Sequence, residues 1–174
     1  MTIKDILEDF SRKEELHRQK MQEDEAKTRQ KIERRIQDIS QCFEAVILPA
    51  VYSVENDLQQ AGYWYKITIG QFSAPESLES GVREVIFHFY PERTQNPVYT
   101  QKALDSAYKA SIGATGDYRK LTFSIFFPRR LPPVIEKEEI NRAVSDINQP
   151  VVDAFLEKFI KGAIDVYQSD RVLL

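Results

Sequence analysis

The chain has 174 residues, enough for one domain with a real core and too short for two ordinary ones. Its 42 % hydrophobic and 11 % aromatic content suits a folded chain, and 24 basic against 27 acidic residues leave a net charge of -3. That mild acidity gives no general pull toward nucleic acid or anionic membrane, so neither is expected as a partner.

Cysteine and histidine usage narrows the chemistry further. One cysteine, Cys42, and two histidines, His17 and His88, exclude an intramolecular disulfide framework, a cysteine-built zinc site and a His-rich metal site. A purely carboxylate site stays open but has no support in the sequence, and neither a metal nor a cofactor is expected. The opening MTIKDILEDF places acids where a signal peptide needs a basic segment followed by an apolar core. The longest strongly apolar stretch, around Ala45–Tyr52, is far short of the roughly 18–20 residues of a membrane span. These features predict a cytoplasmic chain that does not enter a membrane.

Residues 1–31 are dense in charge of both signs and lack Gly and Pro, which favours helix. Opposite charges four apart, such as Asp9–Lys13 and Glu23–Lys27, each add a few tenths of a kcal/mol. The apolar residues Ile3, Ile6, Leu7, Phe10, Leu16 and Met21 form no continuous stripe. This segment reads as a charged helical or partly disordered arm, preceding a single α+β domain at residues 32–174.

From Ile32 the pattern changes. Ile32, Ile36, Ile39, Phe43, Val46 and Ala50 recur at alternating steps of 4 and 3, the seam of helices packed at a shallow angle. Ile47, Val51, Val54 and Leu58 widen it to a core-facing stripe. Pro49 removes one backbone hydrogen bond, so a kink or short break is expected near Leu48. The helix then resumes to about Gln60, and Gly62 ends it.

The middle of the chain alternates with period 2. Tyr63–Phe72, Glu84–Tyr90 and Leu121–Phe127 are rich in β-branched and aromatic residues and read as half-buried strands. A weaker fourth strand is placed around Ala107–Ile112, ahead of the glycine-containing turn Gly113–Asp117. With no long helix between them, these strands predict an antiparallel sheet of three or four strands. Ser73–Gly81 and Pro91–Ala103 read as loops, and Pro128–Pro133 as a rigid exit from the sheet. Glu136–Ile147 looks helical, and Asn148-Gln149-Pro150 resembles the start of a last helix. That helix carries the apolar face Val151, Val152, Phe155, Leu156, Phe159, Ile160 and Ala163. The expected fold is a two-layer α+β domain with long helices at both ends.

Candidate sites follow from strand parity. One face of the sheet collects Trp64, Lys66, Thr68, Ile86, His88, Tyr90, Thr122, Ser124 and Phe126, a mixed aromatic and polar surface. Trp64, Lys66, His88, Tyr90 and Phe126 are its candidate ligand-binding residues. No catalytic residue is assigned. Cys42 lies on an apolar helix as a small buried hydrophobe, and no nucleophile elbow, metalloprotease pair or phosphate-binding loop is present. Arg129-Arg130, with Arg119-Lys120, Lys66 and the aromatics, is a low basic density for tracking a phosphate backbone, which leaves nucleic-acid binding as the less favoured use of this face. The pattern points to a non-enzymatic interaction or assembly module, a homodimer joined through the coiled-coil seam Ile32, Ile36, Ile39 and Phe43, with an unknown protein partner. The competing reading is a ligand-binding or sensory domain that uses the mixed sheet face.

Overall fold

The computed structural model describes residues 1–72, 81–130 and 133–172. The chain divides into two units, Met1–Arg35 and Ile36–Leu174. The first is helix throughout, from Ile3 onward, and forms most of α1 (Ile3–Cys42). Its start is a capping box: the Thr2 hydroxyl accepts from the Asp5 backbone N–H, and the Asp5 carboxylate accepts from the Thr2 backbone N–H at 2.9 Å. The Thr2 hydroxyl also donates to that carboxylate at 2.7 Å, and the Thr2 backbone N–H and hydroxyl together hold the Asp5 carboxyl below its ordinary range. Asp9 pairs with Lys13 at 3.0 Å along the helix. Both partners are largely exposed, so such pairs contribute only a few tenths of a kcal/mol.

The second unit begins with the end of α1, where Ile36 and Ile39 are 6 % and 0 % exposed. The interruption expected near Leu48 takes the form of a π-helical turn, Phe43–Ile47. The Leu48 backbone N–H donates to the Phe43 carbonyl, one residue further back than in an α-helix. Pro49 then falls in the first turn of α2 (Leu48–Ala61), where its missing N–H costs little. Gly62 closes α2 at φ 77°, a left-handed cap that a side chain would strain.

Five strands follow: β1 (Tyr63–Gln71), β2 (Val82–Arg93), β3 (Tyr108–Ala114), β4 (Lys120–Arg130) and β5 (Pro133–Ala143). They form one antiparallel sheet in the order β1-β2-β3-β4-β5. A short helix, α3 (Gln101–Ser106), lies between β2 and β3 in sequence. The last helix is α4 (Gln149–Val172), entered through an Asn148 side chain that accepts from the Val151 N–H at 3.0 Å. The fold is therefore α+β, with long helices at both ends of an antiparallel sheet.

Three expectations need correction. The sheet has five strands rather than three or four. Glu136–Ile147 is not helical: it holds most of β5 and a short 3-10 turn, Val144–Asp146. Its Glu- and Lys-rich composition favours helix locally, but pairing along the whole length of β4 wins, from Lys120↔Ala143 to Arg130↔Pro133. Pro91 does not end its strand, because β2 runs on to Arg93. The β1–β2 register jumps there, Trp64 facing Tyr90 and Tyr63 facing Arg93, so the proline sits in a bulge. The loop expected at Ser73–Gly81 lies outside the described residues except for Gly81. Within Pro128–Pro133, Leu131 and Pro132 also lie outside them.

Burial follows the predicted parity. Val85, Phe87, Phe89, Ala110, Ile112, Leu121, Phe123 and Ile125 share one face and are each at most 3 % exposed. Against it packs α4 through Val152, Leu156, Phe159, Ala163 and Val166, again at steps of 4 and 3. Phe159 is the centre: its ring meets Phe87 at 5.9 Å, Phe89 at 6.4 Å and Phe127 at 6.3 Å. Burial of each such ring stabilises the fold by about 1.5–3 kcal/mol, and each aromatic pair by about 0.5–1.5 kcal/mol more. A Cβ added at Gly162 would come within 2.7 Å of the Phe127 ring, so this glycine lets α4 approach β4.

Candidate functional site

The face of the sheet opposite Phe87 and Phe123 is where the sequence placed its candidate residues. Pairing aligns them in rows across the strands. One row reads Lys66, His88, Lys109, Phe126, Lys137 from β1 to β5. The next reads Thr68, Ile86, Ser111, Ser124, Glu139. Neighbouring strands lie about 4.8 Å apart, so successive lysines of the first row stand roughly 10 Å apart at the backbone.

Most of these groups already have company. The Lys109 ammonium sits 4.4 Å from the Phe126 ring centroid, and the Lys137 ammonium 5.2 Å from it. Lys137 also pairs with Glu139 at 2.7 Å. Lys66 sits 4.9 Å from the ring of Tyr99. An anion arriving here would compete with these contacts, and the charge of the row is offset by Glu139 and by Asp105 of α3. The row is amphipathic more than it is cationic.

His88 is the unusual member. Its Nδ1 is shut off from solvent and has no hydrogen-bond partner among the described residues. Burial lowers its pKa, the neighbouring Lys109 lowers it further, and Asp105 opposes both. A neutral imidazole among ammonium groups results. Ser124, in the adjacent row, is 6 % exposed although it is polar.

Trp64 is covered. It is 9 % exposed, its indole N–H donates to the Val98 carbonyl at 3.0 Å, and its ring lies 5.7 Å from Tyr99. The segment between β2 and α3 thus closes the Trp64 end of the face, anchored at its start by the Thr94 N–H donating to the Gly62 carbonyl. The Thr100 side chain then caps α3 by accepting from the Ala103 N–H. The sequence held a signal for this cover: Val98-Tyr99 is an apolar pair inside an otherwise polar connection.

Tyr90 leaves the row. Its ring stacks on Tyr108 at 5.7 Å and meets Tyr167 of α4 edge-on at 5.4 Å. The bulge at Pro91 lies next to it and breaks the strict alternation that parity assumed. The structure therefore gathers Trp64, Lys66, His88 and Phe126 on one face and takes Tyr90 to the helix side.

The interface residues are also placed differently from the expectation. Ile36, Ile39 and Phe43 are 6 %, 0 % and 0 % exposed within the single chain, so their faces are used in its own packing. Ile32 is half-buried. Cys42 is 8 % exposed, and burial pushes its thiol pKa up, away from the reactive thiolate. Among the described residues there is no group of three or more His, Cys, Asp or Glu side chains able to hold a metal ion. None of their helices is long and apolar enough to cross a membrane.

Two further surface features stand out. A cleft of about 330 Å³ lies between β4, β5 and the first half of α4, floored by Phe123, Ile125, Ile140, Val151 and Phe155. Lys158 and Glu138 pair at its rim. In the first unit, Ile3, Ile6, Leu7 and Phe10 are 77 %, 51 %, 61 % and 61 % exposed. Their spacing puts them on one side of α1 within its first turns. Comparison with known proteins returns no match to a family model, a curated protein or a solved structure.

Proposed function

We propose that the chain is a non-enzymatic protein–protein interaction or assembly module whose contact element is the N-terminal end of α1. One observation carries this reading: Ile3, Ile6, Leu7 and Phe10 all stand more than half exposed on the same side of the helix. Exposed apolar residues scattered singly are ordinary, but four large ones within eight positions make a contiguous anchor. Anchors at this spacing are how an amphipathic helix enters a hydrophobic groove. The polar side of the same turns carries Asp5, Glu8 and Asp9, which favours a protein groove over an anionic bilayer. The domain, read as sheet and helices in two layers, then serves as the body that carries the arm.

A photo-reactive residue at position 10 of the full chain, in the cell that makes it, tests the reading. A discrete covalent adduct is expected, lost when Ile6 and Leu7 are both changed to Glu. An adduct of twice the chain mass would identify homodimerisation through paired arms, and any other mass a different protein partner. If the same probe at the polar position Glu14 captures as much, the arm is not a specific contact.

A second reading has its own support: the unpartnered Nδ1 of His88 and the half-exposed Lys109 and Phe126 beside it. A ligand-binding or sensory domain would use this face. Trp64 is the sole tryptophan and lies on it, so its emission should respond saturably to a nucleotide or oligonucleotide titration, and the response should vanish in Lys109→Ala.

A further inference from the structure

An open sheet has two edges, and these two are unlike. Edge strands present unpaired N–H and C=O groups that template the addition of another strand, and proteins blunt them with charge and proline. β5 is blunted in this way, by Pro133 at its start and by Lys137, Glu138 and Glu139, which are exposed. β1 is not. Its second half, Ile67-Thr68-Ile69-Gly70-Gln71, has no charge, and Thr68 and Ile69 are exposed, Ile69 at 38 %. Among the described residues, no backbone group outside β2 pairs with this stretch.

We propose that β1 pairs antiparallel with β1 of a second copy, joining two five-stranded sheets into one. The occupant is argued from self-complementarity. When two β1 strands cross at Ile67, Tyr65 faces Ile69, Lys66 faces Thr68 and Trp64 faces Gly70, each pair occurring twice. Aromatic opposite β-branched, as in Tyr65 against Ile69, is among the favourable cross-strand pairs. Lys66 is the only charged residue of β1, and this register opposes it to a neutral one. Such a contact is isologous and closes at two copies. It also places the half-buried Ile67 against its counterpart and the half-buried Tyr65 against Ile69, which extends the core across the junction. This inference goes beyond the arm reading and rests on a different surface.

Charge placed opposite Lys66 decides it. Thr68 is exposed, so its substitution leaves the single chain intact. Sedimentation velocity of the full chain across the micromolar range should show a dimer. Thr68→Lys sets ammonium against ammonium twice and should raise the dissociation constant about tenfold at low salt. Thr68→Glu pairs with Lys66 and should leave it equal or lower. Phe10→Glu should leave the dimer unchanged. A wild-type chain that stays monomeric, or the same dissociation constant for both Thr68 variants, overturns the proposal. Dissociation by Phe10→Glu alone overturns it as well, while leaving the arm reading in place.

Discussion

Whether the seam on α1 belongs inside the chain or between chains can be decided by replacing Phe43 with Ala. Phe43 is 0 % exposed, at the start of the π turn, and the neighbouring Ile39, Ile47 and Val51 are each at most 1 % exposed. Truncating a phenylalanine so enclosed costs about 3–5 kcal/mol, because the ring's transfer energy is lost and its neighbours cannot fill the space. Against a total stability of about 5–15 kcal/mol the loss is large but survivable. With a urea slope of about 2 kcal/mol/M, the midpoint of unfolding should fall by about 2 M. If the packing is intramolecular, that fall is the same at every protein concentration. If the seam joins two chains, stability depends on concentration, and each tenfold dilution removes about 1.4 kcal/mol from wild type. Urea denaturation followed by circular dichroism at two widely separated concentrations therefore separates the cases. A Phe43→Ala protein that keeps its midpoint and only changes its sedimentation would refute the intramolecular assignment.

Other consequences follow from particular groups. The folded-state pKa of His88 lies below its ordinary value of 6.5, so on acidification the unfolded chain takes up this proton first. His88 therefore lowers stability as the pH falls through about 6.5, the loss being complete below the folded pKa. Urea midpoints between pH 7.5 and pH 5, roughly the window of histidine titration, should show a decline that His88→Gln makes shallower. An unchanged slope in the variant would remove His88 from the account. Gly162→Ala should lower the melting temperature by several degrees even though alanine is the better helix former, because the new methyl meets a Phe127 ring stacked on Phe159. A rise in melting temperature would mean that Phe127 moves aside easily. The buried, raised-pKa thiol of Cys42 should react with a disulfide reagent far more slowly in the native protein than in urea, as the absorbance of the released thiolate reports. Equal rates would place Cys42 at the surface.

Sheet parity was the most legible part of this chain. Alternation with period 2 puts Phe87, Phe89, Phe123 and Ile125 on the buried face and Lys66, His88 and Phe126 on the other, once the strands are granted. The start of α4 was equally plain, since Asn148 and Pro150 are the residues that a helix start asks for. What failed was β5. An edge strand carries charge to prevent aggregation, and Glu-Lys-Glu-Glu serves that end while also favouring helix in isolation. Its assignment depends on β4, a neighbour in space whose influence local propensity does not contain. At Pro49 the proline announces a lost hydrogen bond and an interruption, but not that the interruption takes the form of a π turn at Phe43–Ile47.

For the candidate site, parity tells which side chains share a face and is silent about what lies over them. Trp64 and Lys66 share the face as expected, yet Val98 and Tyr99 come from a connection that no periodicity marks, and they take up the tryptophan's hydrogen bond and one side of the lysine. The same gap explains the seam. A 4-3 spacing has the same appearance whether the partner helix is in the same chain or another, and only the 0 % exposure of Ile39 and Phe43 assigns it to the chain's own core. With the seam used internally, exposed apolar side chains at the start of α1 and along the β1 edge are available for association. They differ in kind. The arm offers side chains on a helix and suits a groove, whereas the β1 edge offers backbone groups and suits a strand. A chain joined to its copy by the edge would present two arms at once, and two weak groove contacts held together bind far more tightly than either alone.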